Sequence, residues 1–83
     1  MFKIDWDEKA IEQLSKLDSS ISSRIAKKVN ELKEDPFSKD IKRLKGEAAF
    51  RLRVGDYRII FEIQGDKLII LKVGHRKNIY DFI

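Results

Sequence analysis

The chain reads as an α+β fold of order β-α-α-β-β-β, an antiparallel sheet with a helix pair packed on one face. Three observations predict it: apolar residues alternate at the N-terminus, two apolar stripes of helical spacing follow, and the C-terminal half alternates in segments separated by Gly-Asp. In order, Phe2, Ile4 and Trp6 alternate with Lys3 and Asp5, the period of a strand with one buried face. Asp7 stands where an N-cap belongs, and Ala10, Ile11, Leu14 and Leu17 form an apolar stripe, so a helix is expected over residues 8–17. Asp18-Ser19-Ser20 interrupts it with cap-forming residues. Ile21, Ile25, Val29 and Leu32 then recur every three or four positions until Pro36 ends the run. Residues 37–49 lose periodicity and read as an exposed basic connector, with Lys39, Lys42, Arg43 and Lys45 closed by Gly46. Strands are expected over residues 50–54, 57–63 and 67–73, with turns at Gly55-Asp56 and near Gln64-Gly65-Asp66.

Length and composition exclude several classes of function. The 83 residues suit one domain, residues 1–83, with no linker or repeat. The longest apolar run is residues 68–71, whereas a spanning helix needs about 20 apolar residues. The N-terminus also lacks the basic-then-apolar layout of a secretory signal. No membrane partner is expected, and the expected location is cytoplasmic. With Cys at 0 and His at 1, disulfides, thiolate sites and a His-built zinc site within the chain are excluded. No metal and no cofactor are expected.

Charge is the first positive clue. The formal net charge is +4, but residues 1–37 carry net −1 and residues 38–83 carry net +5. A basic half-domain points to an anionic partner such as nucleic acid. A two-residue loop at Gly55-Asp56 would set Val54 opposite Tyr57, Arg53 opposite Arg58 and Leu52 opposite Ile59. Arg51, Arg53 and Arg58 then share one face, and Leu52, Val54, Tyr57, Ile59 and Phe61 share the other. Opposed like charges destabilise a sheet, by up to roughly 1 kcal/mol, and Glu62 alone cannot neutralise three arginines. A bound anion offsets the cost; the plain alternative is arginines extending into water, and a three-residue loop would turn Arg58 away. Continued alternation brings His75 toward the arginine side if the last strand persists past Gly74, with Arg76, Lys77 and Tyr80 beyond. Such a basic cleft suits RNA chemistry, because arginines stabilise phosphate charge and a titratable group can move a proton.

Several segments in order carry a family likeness: Arg43-Leu44-Lys45-Gly46, then Phe50-Arg51-Leu52-Arg53-Val54, then Gly55-Asp56-Tyr57-Arg58-Ile59-Ile60-Phe61, then Val73-Gly74-His75-Arg76-Lys77-Asn78-Ile79-Tyr80. The chain resembles the RelE branch of the RelE/ParE toxin superfamily over essentially its whole length. The resemblance implies a toxin of a type II toxin-antitoxin system: a metal-independent endoribonuclease that cuts mRNA in the ribosomal A site by 2′-hydroxyl attack, neutralised by a cognate RelB-like antitoxin. It assigns Arg58 to the transition-state phosphate, Arg76 to the basic position after the last strand and Tyr80 to stacking or proton transfer. Arg51 and Arg53 match two earlier basic positions, and Lys42, Arg43, Lys45 and Lys77 are expected to contact RNA.

The sequence also departs from the family pattern. Some members carry lysines at the two earlier positions, whereas arginine cannot be deprotonated in proteins. The base is then Tyr80, His75 or solvent. The spacing from Arg76 to Tyr80 is shorter than in some members, and no further C-terminal helix is expected. Two other readings stay open: a ParE-like DNA gyrase poison that acts by binding protein, and a catalytically inactive RNA-binding module.

Overall fold

The computed structural model describes residues 1–38, 40–44 and 48–79. Its elements are β1 (Lys3–Trp6), α1 (Glu8–Ser15), α2 (Ser19–Glu31), β2 (Ile41–Arg43), β3 (Ala49–Val54), β4 (Tyr57–Gln64), β5 (Lys67–His75) and α3 (Arg76–Ile79). The helix pair lies where the apolar stripes place it. The Asp7 carboxylate caps α1 by accepting from the Lys9 backbone N–H at 3.2 Å. Ile11 departs from the expected stripe and is 52% exposed, because a helix turns its next-door neighbour about 100° away from the buried Ala10.

The sheet has five strands in the order β1-β5-β4-β3-β2. It departs from expectation in three places. β1 pairs with β5 in parallel, Lys3 with Lys67 through Trp6 with Ile70, so the sheet is mixed rather than antiparallel. β2 forms inside the expected connector, with Ile41 opposite Leu52, Lys42 opposite Arg51 and Arg43 opposite Phe50. A short helix, α3, follows β5 directly. The β3–β4 hairpin has the expected register, Val54 with Tyr57, Arg53 with Arg58 and Leu52 with Ile59. Both hairpin turns read Gly-Asp, and the glycines alone take positive φ, +58° at Gly55 and +61° at Gly65, the demand that a II′-type turn places on its first position.

One face of the sheet buries Leu52, Val54, Ile59, Phe61, Leu68, Ile70 and Val73 against Ala10, Ile25, Val29 and Leu32 from the helical layer. Fully burying a side chain such as Phe61 or Ile59 contributes about 1.5 to 3 kcal/mol. The opposite face carries a smaller cluster, in which Ile79 of α3 packs with Ala49 and Ile60, flanked by Leu44 and Leu71. Gly74 makes room for it, since a Cβ there would lie 3.1 Å from Ile79 Cδ1.

β5 changes parity part-way along. Phe61 pairs with Ile70 but Ile60 pairs with Lys72, so Leu71 is an extra residue, a β-bulge. Side chains after the bulge point to the face opposite to the one that simple alternation assigns. β1 ends at its pairing with Ile70, leaving the rest of β5 without a strand on that side. The Val73 N–H is met there by Gln13 Oε1 of α1, at 2.8 Å.

Candidate active site

The hairpin register places Arg51, Arg53 and Arg58 on the sheet face away from α1 and α2, and β2 adds Lys42 beside Arg51. The opposed pair Arg53 and Arg58 is not left in mutual repulsion, because the two guanidinium groups are drawn apart. Arg53 Nη2 lies 3.1 Å from Asp40 Oδ1, and the Arg53 backbone N–H donates to Asp40 O at 2.9 Å. Arg58 folds toward its own turn, where Nη1 donates to Gly55 O at 2.8 Å and Tyr57 O at 2.9 Å. Its Nε is buried without a hydrogen-bond partner. Two backbone carbonyls thus fix this guanidinium on its turn.

Arg76 joins the site at the hairpin tip. Its backbone N–H donates to Asp56 O at 2.8 Å and its Nε lies 3.8 Å from Asp56 Oδ1. The turn therefore holds both Arg58 and Arg76, one through carbonyls and one through a carboxylate and a carbonyl.

The structure does not bring every expected residue together. His75 pairs with Tyr57, and its ring meets the Tyr57 ring edge-to-face at 5.5 Å. It lies on the helix side, not the arginine side, because the bulge at Leu71 reverses the alternation that was extended to it. Its Nδ1 accepts from the Lys77 backbone N–H at 3.2 Å, capping α3. Arg43, opposite Phe50, also belongs to the helix side and parts from Lys42. Lys77 is exposed on α3. Lys45 and Tyr80 lie outside the described residues.

Sequence reasoning missed Asp40 and Asp56 as partners of the arginines. Asp56 was visible only as a turn residue. Asp40 carried no signal, since its role depends on β2 lying beside β3. Glu62 shares the arginine face four residues beyond Arg58, and among the described residues no ion pair joins it to the arginines.

The site is thus an antiparallel hairpin that bears clustered arginines on one face and packs the other against a helix pair. The chain belongs to the family of ParE toxins of type II toxin-antitoxin systems (parDE), which it matches over residues 4–80. Among individual proteins it is 52% identical over 44 residues to toxin RelE3 of Methanocaldococcus jannaschii, a match covering 52% of this chain and 50% of that protein. It is 28% identical over 79 residues to the mRNA interferase toxin RelE of Escherichia coli, covering 89% and 82% of the two chains. The toxin fold is shared with the crystal structure of the RelB-RelE antitoxin-toxin complex from Methanococcus jannaschii, at 31% identity and a TM-score of 0.76, covering 95% of this chain and 98% of that one. The likeness is thus to RelE-type toxins.

Proposed function

We propose that this toxin is a ribosome-dependent endoribonuclease that cuts mRNA in the A site and is neutralised by a RelB-like antitoxin. The observation that carries the reading is Arg58, whose guanidinium is fixed by Gly55 O and Tyr57 O on the face that also bears Arg51, Arg53 and Lys42. Fixed cationic donors act where charge grows in a transition state, without reorganising at the moment of reaction.

In this mechanism the ribose 2′-hydroxyl attacks the adjacent phosphorus and the bond to the 5′-oxygen of the next nucleotide breaks. The products are a 2′,3′-cyclic phosphate and a 5′-hydroxyl, the latter formed when the leaving oxygen gains a proton. Arg58 stabilises the charge on the phosphoryl oxygens. Arg51 and Arg53 hold the flanking backbone, with Lys42 extending the cationic surface. None of the arginines serves as base. His75 lies on the other face of the sheet, and proton transfer is assigned to Tyr80, four residues beyond Arg76 in the sequence, or to solvent. The mRNA interferase name of the E. coli relative and the RelB partner of the M. jannaschii relative support the same reading.

End-group analysis of mRNA after brief expression tests it. Cyclic phosphates at codon-phased cuts are expected. DNA breaks linked to gyrase, without RNA cuts, would instead assign the chain the activity of a gyrase poison, the reading favoured by the ParE name of its family.

A further inference from the structure

On the helix side of the same hairpin tip lies a pocket of about 180 Å³, lined by Ile21, Arg24, Val54, Asp56, Tyr57 and His75. Its polar side chains have an uneven inventory. Arg24 offers only donors, and its side chain has no ion pair or hydrogen bond among the described residues. It lies against the turn, with Nη2 2.8 Å from the place a Cβ on Gly55 would occupy. The Tyr57 hydroxyl has no hydrogen bond among the described residues. His75 uses Nδ1 as an acceptor for the Lys77 N–H, so the neutral ring carries its proton on Nε2, a donor. The one carboxylate, Asp56, is engaged by Arg76 at 3.8 Å. Three side chains that can donate thus meet at one small pocket, with the charge of its one carboxylate offset by Arg76 at 3.8 Å, and the complementary ligand is an oxyanion.

We infer that this pocket is a phosphate subsite for single-stranded RNA, taking a phosphodiester that flanks the one cut on the arginine face. The inference rests on the RNA-cleaving reading above. Continuity favours RNA over an acidic protein side chain. His75 lines the pocket and Arg76, the next residue, starts α3, which packs Ile79 onto the arginine face. A flexible polyanion bending around the tip meets Arg24 on one side and Arg58 on the other, both held against Gly55.

The test is binding of a short single-stranded RNA by fluorescence anisotropy, comparing the parent with Arg24→Gln and Tyr57→Phe. Arg24→Gln is expected to weaken binding about 10-fold, the loss of one charge-assisted contact, and to reduce the salt slope by about 0.7. Tyr57→Phe loses a neutral donor and is expected to weaken binding several-fold. Thermal melting of Arg24→Gln should match the parent, since Arg24 is exposed. Parent-like RNA affinity and salt slope in Arg24→Gln would overturn the subsite. So would a loss confined to antitoxin binding, which would assign the pocket to an acidic protein. Cleavage on ribosomes is scored separately: a parent without cleavage overturns the proposed activity, while the binding comparison still decides the pocket.

Discussion

Gly55-Asp56 and Gly65-Asp66 close the two hairpins with the same dipeptide and nearly the same φ, +58° and +61°. A Cβ at Gly65 would meet nothing within 4 Å, whereas one at Gly55 would meet Arg24 Nη2 at 2.8 Å. The carbonyl of Asp66 accepts from Lys3 N–H and ties β1 into the sheet, while that of Asp56 accepts from Arg76 N–H. Gly55 O also accepts from Arg58. One turn completes a sheet; the other gathers cations. The difference lies in what the rest of the chain brings to each tip, not in the turn itself.

The largest expected effect separates the two tips by activity. Arg58→Ala should lower mRNA cleavage on purified ribosomes by about 100 to 1,000-fold, the usual loss for one preorganised donor. Lys67→Ala, beside the other turn, should leave both cleavage and stability near the parent, within about 0.5 kcal/mol. A folded Arg58→Ala protein that cleaves at the parent rate would remove the functional distinction between the tips.

Gln13→Leu should come next. It removes the acceptor for the Val73 N–H, and an unsatisfied buried donor costs about 1 to 3 kcal/mol. Denaturant melts measure the total, and hydrogen exchange locates it: faster exchange at Val73, close to the Gly55-Asp56 tip, with Leu68 unchanged. Uniform acceleration along β5 would show that Gln13 supports the whole strand.

Gly55→Ala and Gly65→Ala sharpen the comparison further. Each forces an L side chain into positive φ at about 1 to 2 kcal/mol, so the two melts should fall by similar amounts. RNA affinity should fall only for Gly55→Ala, because the added methyl displaces the Arg24 guanidinium. Equal RNA affinity in the two variants would contradict this.

The smallest effect belongs to Asp40→Asn. The Arg53–Asp40 pair has side chains 56% and 28% exposed, and such pairs contribute up to about 1 kcal/mol. Its measurable consequence is a small drop in the melting midpoint at low salt that vanishes at high salt. A salt-independent loss would point to the Arg53 N–H to Asp40 O bond instead.

The sequence makes the two tips legible to different depths. A two-residue turn fixes its own register, so the faces of Arg51, Arg53 and Arg58 follow from Gly55-Asp56 alone. His75 sits only one residue past Gly74, yet its face was misread, because a bulge at Leu71 leaves no mark in the composition of an apolar run. β2 was equally hidden. Ile41-Lys42-Arg43 is too short to show a period, and it becomes a strand only because β3 offers it an edge. The parallel partner of β1 lies far along the chain, where local patterning carries no information. Tyr80, central to the expected chemistry, falls outside the described residues.

The pairing of Lys3 with Lys67 and Trp6 with Ile70 also bears on biosynthesis. The first strand finds its neighbour only after β2, β3 and β4 have been translated. Non-local pairing of this kind slows folding and leaves the early part of a nascent chain without its native partners. Arrest peptides placed at successive lengths should report a folding force only once β5 has cleared the exit tunnel; a force arising with β3 alone would contradict this.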